Sequence, residues 1–202
     1  MGYDLLVFDL DGTLIDSAPD IIASVERTLA RLGRPAVGRD LIRAAIGNGV
    51  RKLIERTTPP PIEPVIEEFM REYGAHLLDG TRLYPGVAET LAALPHRKII
   101  LTNKPVALSR RIVEGLGIAR HFEAVHGGDS FPVRKPDPAC FRAAVGAAKN
   151  PLMIGDSGTD IETARNAGVP FCGVSYGYWK PGEIGAAERV VDRFDQLLGL
   201  LR

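Results

Sequence analysis

The chain has 202 residues, with 25 lysines and arginines against 25 aspartates and glutamates, so its formal charge at pH 7 is zero. This balance gives no support to electrostatic binding of nucleic acid or of a membrane surface, and we expect neither as a partner. Hydrophobic residues make up 45% of the chain, which is enough to fill a substantial core and excludes a disordered or collagen-like protein.

Short apolar runs alternate with helical patterns along most of the chain. The first run, residues 3–9, leads into Asp11-Gly12-Thr13 and is typical of a strand buried on both faces and followed by a turn. Further strands are predicted at residues 98–101, 124–126, 152–154 and 171–174. Helices are predicted at residues 86–94, 105–116, 138–148 and 161–167. This order indicates an α/β protein with a parallel sheet covered by helices on both faces.

Residues 15–82 interrupt the alternation, because they contain no convincing strand. Apolar residues recur there at helical spacing, and residues 62–78 form a longer amphipathic stretch. Prolines 59–61 must break the helices, since proline lacks a backbone donor. We interpret residues 15–82 as a helical domain that lies over the carboxyl end of the first strand, inserted into a core domain of residues 1–14 and 83–202.

Acidic residues follow two of the predicted strands. Asp9 and Asp11 flank Leu10, and alternation along an extended backbone places their carboxylates on the same side. If strand 152–154 and strand 98–101 lie on opposite sides of the first strand, Asp156 faces Asp9 at the point where ligands bind such sheets, with Asp160 close behind. Carboxylates this close repel one another, so we expect a hard cation. Mg²⁺ fits, because it takes few carboxylates and keeps water and phosphate oxygens as further ligands.

Hydrogen-bond donors and a positive charge, which would complement these acids, lie elsewhere in the chain. Thr102 and Asn103 end the second long strand with hydrogen-bond donors, and Lys135 stands in a loop between prolines. Donors together with one ammonium suit a phosphoryl group.

Each feature also has a simpler interpretation. An Asp-x-Asp-Gly sequence is usually a capped turn, and residues 155–160 could be a helix entry capped by Asp160. A calcium loop is excluded, since it needs an acid or Asn at its fifth position and Gly at its sixth, where Thr13 and Leu14 stand. The chain carries four such features in order: the acids at residues 9–11, the donors at residues 102–103, Lys135 and the acidic segment at residues 155–160. Each has the charge or donor character that a phosphate-and-metal site needs, so together they favour such a site over four unrelated turns.

Four motifs at these positions resemble those of the haloacid dehalogenase superfamily and, within it, of bacterial phosphoglycolate phosphatases. They are FDLDGTL at residues 8–14, LTNK at residues 101–104, RKP at residues 134–136 and GDSGTD at residues 155–160. The resemblance extends over nearly all of the chain. It implies a doubly wound α/β core, a helical cap inserted after the first strand, and a Mg²⁺-dependent phosphatase that acts on a small phosphorylated substrate.

The resemblance also implies roles for individual residues. Asp9 would be the nucleophile that becomes an aspartyl phosphate, and Asp11 would act as general acid and then as general base. Mg²⁺ would bind the carboxylates of Asp9 and Asp156 and the backbone carbonyl of Asp11, with Asp160 supporting the metal waters or orienting Lys135. Thr102 and Lys135 would hold the transferring oxygens. Asp11 argues against dehalogenation, because a departing halide needs no proton.

A second anion site is expected in the helical domain. Gly47, Asn48 and Gly49 precede a helical pattern and offer free backbone donors, and Arg51 follows. We hypothesise that Asn48, Gly49 and above all Arg51 bind the carboxylate of 2-phosphoglycolate. The alternative is a plain interhelical turn with a solvated arginine.

Two other functions remain open. A sugar phosphomutase of the same superfamily would use Asp9 and Asp11 but keep its phosphoryl group from water. A non-enzymatic phospho-acceptor domain would form an aspartyl phosphate that persists.

The sequence also favours a cytoplasmic protein. It has two isolated cysteines, Cys140 and Cys172, and lacks an apolar run of eighteen residues. We expect a monomer or a homodimer.

Overall fold

A computed structural model describes residues 2–201 of the chain. The strands are β1 (Leu5–Phe8), β2 (Ile15–Asp16), β3 (Arg82–Leu83), β4 (Arg97–Leu101), β5 (Ala124–His126), β6 (Pro151–Gly155), β7 (Phe171–Val174) and β8 (Val190–Val191). The helices are α1 (Ala18–Arg31), α2 (Arg39–Ala45), α3 (Val50–Thr57), α4 (Glu63–Ala75), α5 (Val87–Ala93), α6 (Val106–Gly115), α7 (Pro138–Val145), α8 (Gly158–Ala167) and α9 (Leu197–Leu200). No helix in residues 2–201 has the length and apolar character needed to cross a bilayer.

Six parallel strands form the main sheet in the order β5-β4-β1-β6-β7-β8. The first strand therefore lies between β4 and β6, which is the arrangement that brings Asp9 and Asp156 to one edge. Strand order reverses there, so a crevice opens beyond the carboxyl ends of β1 and β6. The predicted α/β fold with a parallel sheet is confirmed.

The central strand is buried on both faces, as its uninterrupted apolar sequence predicts. Leu6 and Phe8 pack in the larger apolar cluster, which includes residues of α5, α6 and α9. Leu5 and Val7 point the other way and pack in a second cluster with residues of α7 and α8. Helices thus cover both faces of the sheet and hold the end of β1 in a fixed position.

Residues 15–82 contain α1 to α4, and α1 packs along α4. The proline-rich run separates α3 from α4, as predicted. Two short strands went unpredicted: β2 and β3 pair antiparallel, with Ile15 opposite Leu83 and Asp16 opposite Arg82. This pairing joins the two chain segments by which the helical region leaves and rejoins the core.

Two predicted helix ends differ from the observed ones for local reasons. Helix α8 begins at Gly158, three residues earlier than predicted, because the Ser157 side chain accepts a hydrogen bond from the Asp160 backbone N–H as the N-cap. Asp160 is therefore not the cap, and its carboxylate is free for other contacts. Helix α7 ends at Val145, because the chain turns at Gly146 with a φ of 56°.

Candidate active site

Three aspartates converge at the carboxyl ends of β1 and β6. Asp9 directly follows β1, Asp156 directly follows β6, and Asp160 stands in the first turn of α8. One carboxylate oxygen from each lies within 4.8 Å of the others. The three residues are only 6%, 1% and 0% exposed. The predicted convergence of acids from distant parts of the chain is thus present in the fold.

Lys135 supplies a positive charge inside this group. Its Nζ lies 2.6 Å from Asp160 Oδ1 and 2.9 Å from Asp9 Oδ1. Burial alone would lower the pKa of Lys135, but the carboxylates of Asp160 and Asp9 outweigh it and raise that pKa above its ordinary value. Lys135 therefore stays protonated. Asp160 also accepts from Ser157 Oγ at 2.6 Å, so both of its oxygens are engaged and it orients Lys135.

Asp156 is held by two short hydrogen bonds. Thr13 Oγ1 donates to its Oδ1 and the Tyr178 backbone N–H donates to its Oδ2, each at 2.6 Å. Two glycines make room for it: a Cβ at Gly12 would lie 2.1 Å from Asp156 Oδ2, and a Cβ at Gly177 would lie 2.2 Å from its Cβ. Gly12 also has a φ of 86°, which favours glycine.

The electrostatics of the group fit a divalent cation. Burial raises the pKa of Asp9 to about 6, with Lys135 opposing the rise and Asp160 adding to it. Burial, followed by the charges of Asp9 and Asp160, raises the pKa of Asp156 well above its ordinary value. Asp9 Oδ1 lies 2.9 Å from Lys135 Nζ and makes no other hydrogen bond among the described residues. One ammonium faces three buried carboxylates, so a divalent cation would supply the charge that Lys135 alone does not.

Asp11 lies outside this group of three and has its own partners. Lys104 Nζ donates to both of its oxygens, at 2.8 and 2.9 Å, and Ser17 Oγ donates to Oδ1. Burial alone would lower the pKa of Lys104, but Asp11 and Tyr73 raise it above its ordinary value, so Lys104 is an ammonium. Thr13, Ser17 and Lys104 were not predicted as site residues. Only the position of Lys104 beside Thr102 and Asn103 could have indicated it.

Thr102 and Asn103 both lie at the end of β4, as predicted, but they have different surroundings. Thr102 lines the crevice with Asp9 and Asp11. The Asn103 amide instead donates to the backbone carbonyls of Gly47 and Lys135, each at 3.2 Å. Asn103 thus fixes the Lys135 loop against the helical region.

An inner cavity lies between the helical region and the end of the sheet. Its polar side chains come from five residues: Asp9, Asp11, Tyr73, Thr102 and Lys104. The remaining lining is apolar or small: Ile21, Ile46, Gly47, Gly49, Val50, Leu53, Phe69 and Pro105. The cavity therefore offers many apolar contacts and few hydrogen bonds beyond those near Asp9.

The three residues expected to bind the substrate carboxylate are placed differently from one another. Gly49 lines the inner cavity as the N-cap of α3. Asn48 lines the adjoining cleft beside Asp156, and its amide donates to Thr159 Oγ1 at 2.8 Å, which joins the helical region to the core. Arg51 lines neither space: its half-exposed side chain pairs with Glu63 at 3.1 Å. The expectation for Arg51 is therefore corrected, because its position is that of a surface arginine.

Tyr178 connects this site to the start of the helical region. Its hydroxyl donates to Asp16 Oδ1 at 2.7 Å and accepts from the backbone N–H groups of Ser17 and Ala18, each at 2.9 Å. Its own backbone N–H holds Asp156. One residue thus contacts both an acid of the cluster and the first turn of α1.

Comparison with known proteins identifies the family. The family model described as haloacid dehalogenase-like hydrolase matches residues 6–174. The chain belongs to this family. It is 39% identical to a phosphoglycolate phosphatase of Mesorhizobium japonicum over 88% of this chain and 85% of that protein. It is 40% identical to a phosphoglycolate phosphatase of Agrobacterium fabrum over 86% and 81% of the two chains.

Solved structures of the haloacid dehalogenase-like family share this fold. A crystal structure of a predicted phosphoglycolate phosphatase from Haemophilus somnus 129pt superposes with a TM-score of 0.93 at 32% identity, over 99% of this chain and 98% of that one. The resemblance inferred from the four motifs is therefore confirmed, and the protein is a phosphoric monoester hydrolase.

Proposed function

We propose that this protein is a Mg²⁺-dependent phosphatase that hydrolyses 2-phosphoglycolate to glycolate and phosphate through an aspartyl phosphate on Asp9. The observation that carries the proposal is the position of Asp9. Its carboxylate lies between a buried group of acids and Lys135 on one side and a cavity on the other. The curated relatives named above are phosphoglycolate phosphatases.

The metal would be held by the carboxylates of Asp9 and Asp156, with the backbone carbonyl of Asp11 as a further ligand. Bound there, Mg²⁺ would supply positive charge to the phosphate oxygens. Asp160 would support the site indirectly, through the 2.6 Å contact by which it holds the Lys135 ammonium beside Asp9.

Asp9 and Asp11 divide the chemistry between them. An Asp9 oxygen attacks phosphorus and the bond from phosphorus to the ester oxygen breaks, while Asp11, which must enter this step in its protonated form, gives that oxygen its proton. In the second half, Asp11 takes a proton from water, which attacks the aspartyl phosphate and releases Asp9 and phosphate. Thr102 and Lys135 donate to the phosphoryl oxygens throughout. Lys104 and Ser17 fix the Asp11 carboxylate for both proton transfers.

Residues 15–82 act as a cap over the core domain of residues 1–14 and 83–202. Two contacts support this role: Asn48 donates to Thr159, and Asn103 donates to the Gly47 carbonyl. Asn48 and Gly49 lie where a bound substrate would meet the cap.

The buried thiols of Cys140 and Cys172 support a reducing, cytoplasmic location. A monomer or homodimer remains our expectation.

The lining of the inner cavity favours a small acid over a sugar. A hexose phosphate would place several hydroxyls against Ile46, Val50, Leu53 and Phe69, which offer no hydrogen bonds. No observation favours the sugar phosphomutase or the persistent phospho-acceptor over hydrolysis.

Phosphate release tests the proposal. We expect multiple turnovers with 2-phosphoglycolate and Mg²⁺, loss of activity with EDTA, and no activity in the Asp9→Asn protein. A hexose 1-phosphate with its bisphosphate, in a coupled assay, tests the mutase. Release of one equivalent that then stops, or a kcat/KM for hexose phosphates above that for 2-phosphoglycolate, would contradict the proposal.

A further inference from the structure

One cation in the inner cavity has no role in holding the transferring phosphate. Within the described residues, Lys104 is the one lysine or arginine that lines this cavity, and its side chain is only 5% exposed. Its Nζ lies 4.8 Å from the centre of the Tyr73 ring. An ammonium has three N–H donors, and the two oxygens of Asp11 take two of them. The third N–H lies on the side of Tyr73, so a ligand that accepts from it would also meet that side chain.

Tyr73 offers a second donor at the same place. It belongs to α4 of the cap, lines the cavity and is 2% exposed. Its hydroxyl has no hydrogen-bond partner among residues 2–201. A buried hydroxyl without a partner costs free energy, so a ligand that accepts from it is favoured. Burial raises the pKa of Tyr73 to about 12, so the hydroxyl keeps its proton.

We propose that Lys104 and Tyr73 form a carboxylate subsite that selects phosphorylated hydroxy acids. This inference rests on the proposed function and names the residues that read its substrate. Lys104 comes from the core and Tyr73 from the cap, so the subsite is complete only when the two are in contact.

The covalent geometry of 2-phosphoglycolate matches this arrangement. Asp11 protonates the ester oxygen, and a carboxylate oxygen of the same substrate is three bonds from that atom. Lys104 is in direct contact with Asp11, so a substrate oriented for protonation brings its carboxylate within reach of Lys104. The methylene between them meets the apolar lining of the cavity. Arg51, by contrast, is paired with Glu63 at the surface.

Ethyl phosphate provides a direct test, because it replaces the carboxylate of 2-phosphoglycolate by a methyl group. For the wild-type protein we expect kcat/KM to be at least a hundredfold higher for 2-phosphoglycolate. Tyr73→Phe should lower this ratio about tenfold, through KM for 2-phosphoglycolate alone, since one hydrogen bond to a charged group is lost. Lys104→Met should bring the ratio close to one, and Lys104→Arg should restore part of it.

Controls separate the possible failures. Tyr3→Phe and Lys149→Met change the same residue types outside both spaces and should keep the wild-type ratio. In the protein without substrate, the Tyr73 hydroxyl has no hydrogen-bond partner among residues 2–201, so Tyr73→Phe should fold even if Lys104→Met does not. Calorimetry in the Asp9→Asn background should show 2-phosphoglycolate binding weakened about tenfold by Tyr73→Phe.

The ratio of kcat/KM for 2-phosphoglycolate to that for ethyl phosphate decides between the outcomes. A ratio near one in the wild-type protein overturns the proposed substrate and the subsite together. A high ratio that survives both substitutions, or equal losses for both substrates, overturns the subsite alone.

Discussion

Replacement of Lys135 by methionine tests the charge balance of the acidic group. The Lys135 side chain is 2% exposed and bridges Asp9 and Asp160, whose side chains are 9% and 0% exposed. Methionine keeps much of the volume and removes the charge. Removing one partner of a buried ion pair costs about 3 to 5 kcal/mol, because it leaves a buried charge uncompensated. For a chain of this length that corresponds to a decrease in Tm of about 6 to 20 °C.

Thermal unfolding in EDTA measures this effect, with Lys149→Met as the control for loss of an exposed lysine. We expect Mg²⁺ to raise the Tm of the Lys135→Met protein more than that of the wild type. The reason is that the cation neutralises acids that Lys135 partly neutralises in the wild type. Mg²⁺ at a hundred times its Kd stabilises a folded protein by about 2.7 kcal/mol, so the difference is measurable.

Two results would refute this reasoning. If Lys135→Met and Lys149→Met lower the Tm equally in EDTA, the buried ion pairs do not carry the expected energy. If Mg²⁺ raises the Tm of the wild type and of Lys135→Met by the same amount, the cation does not bind next to Lys135. Activity should fall in either case, so activity alone does not decide the question.

Three further predictions concern the aspartates. The pKa of Asp9 is about 6 in the metal-free fold against an ordinary 3.8, so between these values the folded protein binds a proton that the unfolded chain does not. The stability of the wild-type protein therefore falls as pH rises from about 4 to about 6. Urea unfolding in EDTA should show that Asp9→Asn is about 2 to 3 kcal/mol more stable than the wild type at pH 7.5, and that the two proteins are about equally stable near pH 4. Asp11→Asn should lower kcat/KM, which does not include the later attack of water, about 10² to 10⁴-fold for an alkyl phosphate and much less for an aryl phosphate, whose leaving group needs no proton; equal losses in kcat/KM would remove the acid role. Thr13→Val removes the hydrogen bond to Asp156 and should weaken Mg²⁺ binding about 10 to 100-fold while kcat at saturating metal changes little, as a metal titration of activity would show.

Sequence patterns predicted those parts of the fold in which a single local signal is strong. An uninterrupted apolar run predicted a β1 buried on both faces, and acids directly after β1 and β6 predicted the convergence of Asp9 and Asp156. The strand order was stated only as a condition, because nothing local tells on which side of β1 a later strand pairs. The pairing of β2 with β3 was missed, since two residues are too few to show alternation.

The residues around Asp11 could not be predicted in the same way. The ion pair between Asp11 and Lys104 joins positions 93 residues apart, and no spacing rule links them. Arg51 is a different case, because the sequence did carry a signal. Leu53, Ile54 and Thr57 form the buried face of α3, and Arg51 lies off that face by helical spacing. That periodicity predicts a solvent-facing Arg51.

The charges of the site favour a divalent over a monovalent cation. Its buried ionisable residues comprise four acids and two bases: Asp9, Asp11, Asp156, Asp160, Lys104 and Lys135. Lys104 pairs with Asp11, and Lys135 lies closer to Asp160 than to Asp9. Two carboxylates, those of Asp9 and Asp156, are then left without full compensation, and these are the two whose pKa values burial raises. A monovalent ion would leave one of these charges uncompensated in a site largely closed to water, whereas a divalent ion neutralises both.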